Sequence, residues 1–303
     1  MKSTSPPHKV ICFGEVLWDI LLTGPLPGGA PMNVAYHLNK LGMNPALITK
    51  VGDDDYGRDL IEMLSNDGVA VMYETDPQYP TGLVYANVGE NHEMAYDIVY
   101  PSAWDFIEWK KEYVDLVSEA EYLVFGSLTS RNDVSRNTLY QLLNVAKKNA
   151  FDINIRPPHF ERRQLEYLLQ KTDLLKMNIA ELELVTDWYD QSGSASDRIK
   201  FVQDHFKIDQ IIITKGGDGA MVNDHGKIYE HPGYNVSVQD TIGSGDSFLA
   251  GFLARTLKGE NAEKALDFAA GIGAFVATKA GGCPEYEVEE INELMEREKS
   301  GNE

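Results

Sequence analysis

The stretch Asp240–Gly251, DTIGSGDSFLAG, sets a carboxylate between a glycine-rich turn and a run, Phe248–Leu257, that is apolar almost all round. A helix apolar on every side belongs inside a large fold, and a charge at its start is expensive there unless it has work to do. Gly243, Ser244 and Gly245 let the chain turn tightly and aim N–H groups outward at the positive end of the helix dipole, which makes an anion site. Three readings of Asp246 compete. It is a first-turn acid that offsets the dipole. Or the turn belongs to a dinucleotide fingerprint. Or Asp246 takes the proton of an attacking hydroxyl while the N–H groups steady a moving phosphoryl group. The fingerprint fails because Phe248 stands where its third glycine belongs, and the motif lies late in the chain. A Walker A loop fails because no Gly-Lys-Ser/Thr is present. Phosphoryl transfer accounts for the glycines and the acid together.

Outward from this point the chain alternates. HKVICFGEVLWDI is a short strand stopped near Gly14, and MNVAYHLNKLG has helical spacing with Gly42 as its stop. PALITKVG, EYLVFGSL, FDINIRP, DLLKMN and QIIITKGG are further strands. Helix-length segments separate them: DYGRDLIEMLSNDG, then Asn132–Asn149, Glu161–Gln170 and Ile179–Phe206, the last broken around Ser192–Ser196. The pattern predicts an open, mostly parallel α/β sheet with helices on both faces. One segment interrupts it. Residues 71–103 carry strand-like runs, a GENH turn and Tyr73, Tyr79, Tyr85, Tyr96 and Tyr100, with no helix. This predicts a small inserted antiparallel β lid on a single domain spanning residues 1–303; its tyrosines either pack the small sheet or cover a ligand, the main domain or another subunit. The tail EREKSGNE reads as solvated and frayed.

Composition narrows the function. With 43% hydrophobic residues a sizeable core is available, and a net charge of −20 argues against nucleic acid. Cys12 and Cys283 are the only cysteines, which favours a reducing compartment, the cytoplasm. No signal-peptide pattern or membrane-length apolar run is expected to place the chain elsewhere.

DTIGSGDSFLAG resembles the C-terminal signature of the ribokinase-like (PfkB) carbohydrate kinases, and GGAPMNVAYHLNKLG followed by VGDDDYG resembles their other signature in the form typical of bacterial fructokinases. FGEVLWD, DINIRP, KMNIAELE, TKGGDGA and ATKAGGCPEY fall in the family's order, so the resemblance spans nearly the whole chain. It implies that Asp246 is the general base and that Gly243, Ser244 and Gly245 form the anion hole. Asp19, Gly28, Gly29, Asn33, Gly52 and Arg156 would bind the sugar. Asn178, Thr214, Lys215, Gly217 and Gly219 would bind ATP. Asn178 and Glu181 would organise Mg²⁺ largely through water, and Asp240, with the segment Lys279–Gly282, would hold a monovalent cation such as K⁺.

Each residue also has a plainer reading. Asp19 ends a loop, Asn33 and Asn178 start helices, and Asp53 caps the next helix beside Gly52. Arg156, which Pro157 should hold at a strand's C-terminal edge, makes a surface ion pair. Lys215 and Gly217 are a surface turn, and Asp240 fixes its own loop. Met32, where the family has a small residue, is expected to narrow the sugar pocket. Ala270, where many fructokinases carry Asn, puts an adenine or ribose contact there in doubt.

The resemblance implies ATP-dependent phosphorylation of a primary hydroxyl on a free monosaccharide, fructose at O6 above others, by a homodimer that associates through its lids. The alternatives within the class are a ribokinase or nucleoside kinase and a 2-keto-3-deoxygluconate kinase. Outside it stand a catalytically silent sugar-binding protein, against which Asp246 argues, and an NAD-dependent reductase, which lacks a glycine fingerprint after its first strand.

Overall fold

The structure, a computed structural model, describes residues 8–21, 24–88 and 94–300. In chain order the strands are β1 (Val10–Phe13), β2 (Leu17–Leu21), β3 (Gly24–Gly28), β4 (Pro45–Gly52), β5 (Ala70–Asp76), β6 (Gly82–Val88), β7 (Met94–Ile98), β8 (Tyr122–Gly126), β9 (Asn149–Asp152), β10 (Leu174–Asn178), β11 (Gln210–Thr214), β12 (Ala220–Asp224) and β13 (Lys227–His231). The helices are α1 (Ala30–Lys40), α2 (Asp55–Asn66), α3 (Lys111–Glu119), α4 (Asp133–Leu143), α5 (Arg162–Leu169), α6 (Ile179–Asp187), α7 (Ala195–Phe206), α8 (Ser244–Leu257), α9 (Ala262–Ala277) and α10 (Val288–Ser300).

The main sheet has nine strands in the order β13-β12-β11-β10-β9-β8-β1-β4-β5, parallel from β5 to β11 and antiparallel beyond. Its strands are buried on both faces, as short apolar runs predict. In β1, Val10 and Cys12 join the core under α1, α8 and α9, while Ile11 and Phe13 join the opposite core under α3–α7. α8 lies between α9, α1 and the sheet, so its apolar circumference has a partner on every side.

The small sheet differs from the expected insertion. Residues 70–76 are not part of it. They form β5, which pairs in parallel with β4 from Ala46↔Ala70 to Gly52↔Asp76 and completes a strand-helix-strand unit with α2. The small sheet, order β3-β2-β6-β7, instead takes half its strands from residues 17–28. Its outer pairings are antiparallel and the central β2–β6 pairing is parallel. The chain leaves the main sheet at Gly14–Val16, so one apolar run supplies strands to two sheets. Among the expected lid tyrosines, Tyr73, Tyr85 and Tyr100 are exposed, whereas Tyr79 stacks on Phe106 with centroids 4.0 Å apart. The GENH turn and the Tyr96 side chain lie outside the described residues. The segment expected to fray is helical through Ser300, where α10 ends.

Candidate active site

A cleft of about 620 Å³ opens between the two sheets, at the C-terminal ends of the main-sheet strands where ligands enter open α/β folds. Asp246, Gly243 and Gly245 reach it from the start of α8, Asn33 and Gly29 from the start of α1, and Asp19 from β2. Arg156, Asn178, Glu181 and Thr214 line it as well.

The first turn of α8 presents open backbone donors to the cleft. Gly243, its N-cap, has φ +73°, which favours glycine. Ser244 N–H donates to Thr241 O at 3.3 Å and Ser247 N–H to Gly243 O at 2.8 Å. The N–H groups of Gly245 and Asp246 find no acceptor among the described residues. Asp246 is half-buried, and its Oδ2 accepts from Asn33 Nδ2 at 2.7 Å. Burial pushes its carboxyl up to about 6, reinforced by Asp152 and opposed by Lys176, the Asn33 hydrogen bond and Arg156. A carboxyl that is ionised at neutral pH yet ready to accept a proton suits a general base. Asp19 is likewise pushed up to about 6, chiefly by burial; Arg156 opposes the shift while Asp240 and Asp246 add to it. Two acids and one guanidinium therefore face a shared space.

Other expected residues are placed less directly. Arg156 lines the cleft, but β9 already ends at Asp152, so the arginine sits on the following segment rather than a strand edge, its Nη1 donating to Ile155 O at 3.2 Å. Asn33 bonds Asp246, and Cys283 Sγ donates to its Oδ1 at 3.3 Å, so its amide first fixes the acid. Gly28 packs on the Asp19 carboxylate: a Cβ there would stand 2.4 Å from Oδ2.

Gly52 stays out of the cleft; its N–H donates to Thr81 Oγ1 at 2.9 Å, and Asp54 rather than Asp53 caps α2. Ser244 Oγ ties α8 to α9 through Gly273 O at 3.0 Å. Lys215 points towards Glu230, 4.0 Å away, and Gly219 closes the strand pair beyond it, its Cβ position 2.0 Å from His231 O. Space is open around Gly217. Met32 is wholly buried in the core and does not narrow the cleft, and Ala270 is also core.

Asn178 and Glu181 form a reciprocal capping box: Glu181 N–H donates to Asn178 Oδ1 at 2.9 Å and Asn178 N–H to Glu181 Oε2 at 2.8 Å. Glu181 Oε1 accepts from Ile155 N–H at 2.8 Å. Each carboxylate oxygen keeps a lone pair, and among the described residues no cluster of three ligating side chains occurs. That donor set fits a Mg²⁺ carried by phosphates and water, the mode this ion prefers. Asp240 accepts from Ile242 N–H and Gly281 N–H, both at 3.0 Å, which joins the two segments expected to hold a monovalent cation.

Four polar residues of the cleft were not singled out from the sequence: Glu15, Asp152, Asn154 and Lys176. Glu15 is buried, accepts from Thr129 Oγ1 at 2.9 Å, and is raised chiefly by burial. Lys176 and Asp152 are paired in register across β10 and β9 and joined at 2.6 Å. Their signal was one charge inside each of two apolar strands.

The sequence pattern of pfkB family carbohydrate kinases matches residues 24–288. Among known proteins, a fructokinase of Escherichia coli is 29% identical over 262 residues, covering 81% of this chain and 83% of that protein. The fold resembles a fructokinase of Vibrio cholerae O395, solved with fructose, ADP and potassium ion, at TM-score 0.83 and 23% identity over 96% of this chain and 99% of that one. It also resembles a putative ribokinase II of Escherichia coli, solved with ATP and Mg²⁺, at TM-score 0.83 and 21% identity over 96% and 99%. With a mostly parallel nine-stranded sheet, a small second sheet and a match across most of its length, the chain belongs to the pfkB family of carbohydrate kinases.

Proposed function

We propose that the protein transfers the γ-phosphoryl group of ATP to a primary hydroxyl of a free sugar, D-fructose at O6. The observation that carries this reading is Asp246: a half-buried carboxylate fixed by Asn33, next to two unpartnered N–H groups and facing Asp19 and Arg156. Asp19 accepts hydrogen bonds from sugar hydroxyls, and Arg156 donates to them or to the moving phosphoryl group. Asp246 takes the proton of the attacking hydroxyl. As the new O–P bond forms, the bond to the β-phosphate oxygen breaks, and the Gly245 and Asp246 N–H groups meet the charge on the equatorial oxygens. Asn178 and Glu181 would hold the waters of a Mg²⁺ ion, which would supply neutralisation of phosphate charge. Asp240 and the 279–282 segment would hold a K⁺ ion. Thr214 and the open turn at Lys215–Gly217 receive the rest of the nucleotide. The small sheet covers the sugar and excludes water, which would otherwise compete as acceptor.

The fructokinase names among the relatives support fructose, and the panel that tests it is ADP release with ATP and Mg²⁺ on fructose, ribose, glucose, a nucleoside and 2-keto-3-deoxygluconate. Fructose is expected to give the highest kcat/KM; turnover on another member alone would reassign the substrate. For Asp19→Ala, the sugar KM is expected to rise at least tenfold and the ATP KM to hold, because the lost hydrogen bonds exist in ground and transition states alike. Equal weakening of both would point to damage to the small sheet instead.

The exposed Tyr85 and Tyr100 at the small sheet suit a homodimer formed through that sheet. Sedimentation at tens of micromolar is expected to show a dimer that Tyr85→Asp dissociates, with a raised sugar KM. A monomeric wild type refutes it. Two free cysteines and the absence, among the described residues, of a helix able to cross a membrane fit a cytoplasmic enzyme.

A further inference from the structure

Lys176 is an unusual residue for its place. It stands in β10 between Leu175 and Met177, whose side chains enter the core on one face, while its own stem runs to the opposite face towards α8. A Cβ built on Gly245 would lie 3.0 Å from Nζ and 3.5 Å from Cε, so the lysine fills the space beside the first turn of α8. The side chain is buried, 8% exposed, yet the residue lines the cleft. Among the described residues it has one hydrogen-bond partner, Asp152 Oδ2 at 2.6 Å, and an ammonium has three protons to give. Asp152 is equally incomplete, its buried Oδ1 having no partner. A buried ion pair with open valences is weak support for a fold, since neutral packing often serves as well or better. Its open donors point to a ligand oxygen, and beside it the N–H groups of Gly245 and Asp246 also find no acceptor among the described residues.

We propose that Lys176 is a catalytic residue: held by Asp152, its ε-ammonium donates a hydrogen bond to an oxygen of the transferring phosphoryl group beside the Gly245 and Asp246 N–H groups. The proposal rests on the phosphoryl-transfer reading of the site. Lys176 keeps its proton throughout; the sugar proton goes to Asp246, and the electron pair of the breaking P–O bond leaves with ADP. Burial pulls the ammonium towards neutrality, but Asp152, Asp246 and Glu181 outweigh it and keep the group charged. A Cβ at Gly245 would press on the ammonium and shift it by a few tenths of an ångström.

Lys176→Met alone strands Asp152 as a lone buried charge and invites misfolding, so the decisive variant is Asp152→Asn/Lys176→Met, which leaves neither charge unpaired. It is expected to melt near wild type and to lose about 10² to 10³ in kcat, in the range for removing one donor from an oxyanion site, with the sugar KM changed less than about threefold. Calorimetry with Mg²⁺ supplies a readout apart from turnover. Affinity for a non-hydrolysable ATP analogue should fall about tenfold, the usual effect of roughly 1.4 kcal/mol, while ADP affinity holds. A folded double variant with wild-type kcat and the wild-type ratio of analogue to ADP affinity overturns the proposal and leaves the pair a fold element. A double variant that does not fold is replaced by Lys176→Arg, for which retained analogue affinity with lowered kcat supports the contact and loss of ADP affinity overturns it. If wild type turns over none of the sugar panel, the functional reading fails instead, and the analogue-to-ADP comparison still decides on Lys176.

Discussion

Asp246→Asn is expected to fold, to bind sugar with little change in KM, and to lose on the order of 10² to 10⁴ of kcat, the range for removing a general base. The amide keeps the shape of the side chain and an oxygen for Asn33 Nδ2, now 2.7 Å from the carboxylate, but it accepts no proton. The pH dependence follows from the same carboxyl. At about 6 it is ionised at neutral pH, and the wild-type kcat falls as pH drops through that value. Asp19 titrates in the same region, so kcat/KM should fall more steeply than kcat, by up to two protons, and Asp19→Asn should return it to one. Stability moves the other way. Folding raises the Asp246 pKa above its unfolded value of about 3.9, so the wild type loses stability as pH rises from about 4 to 6 and the buried group ionises. Asp246→Asn should therefore melt above wild type at pH 8, with the gap closing below about pH 4. Near wild-type turnover in this variant would reduce Asp246 to a helix-terminal acid and remove the proposed mechanism.

The parts of the fold that the sequence revealed are those where local pattern and tertiary packing agree. The helix stop at Gly42, the break within Ile179–Phe206 and the buried α8 were all readable, because cap, spacing and apolar circumference point the same way. The bounds of the second sheet were misread because sheet membership is non-local. Nothing in AVMYETD distinguishes an edge strand beside β4 from a strand of a separate layer, and only the pairing partner decides. The strand run through Leu17–Leu21 hides its change of sheet for the same reason. At the site, residues in a tight turn or at a helix start were legible: Asp246, Gly243, Asn33 and Asn178. Lys176 and Asp152 were not, since their meaning depends on being neighbours in register on adjacent strands 24 residues apart. Gly52 and Gly219 looked like ligand contacts because the family motif includes them, yet the clashes a side chain would meet are with protein backbone at Thr81 and His231.

Gly243→Ala is expected to lower kcat about 10²-fold to 10³-fold while leaving the general base in the chain. Two effects combine. The residue has φ +73°, where a Cβ is disfavoured by roughly 1–2 kcal/mol. The added carbon would also lie 2.4 Å from Gly282 Cα and 2.9 Å from its carbonyl oxygen, so one of two backbones must move. The Gly282 segment is poorly able to yield. His37 Nε2 donates to Gly282 O at 2.9 Å, His37 Nδ1 meets Tyr286 Oη at 3.0 Å, and Gly281 N–H is held by Asp240 at 3.0 Å. Burial holds His37 down to about 4, so this anchor is neutral and intact across the working pH range. The turn at Gly243 must therefore shift, carrying the Gly245 and Asp246 N–H groups off the proposed phosphoryl position, where loss of one donor is worth about 10² to 10³ in rate. Gly259→Ala is the control: it lies past the other end of α8 with φ +81° and no atom within 4 Å of its Cβ position, so it carries the backbone strain without the collision. Both variants should melt a few degrees lower, about 2–4 °C per kcal/mol for a chain of this class, but only Gly243→Ala should lose turnover, with the sugar KM nearly unchanged. Equal kcat in the two variants would show that the α8 turn tolerates displacement and that its N–H groups do not stabilise the transferring group.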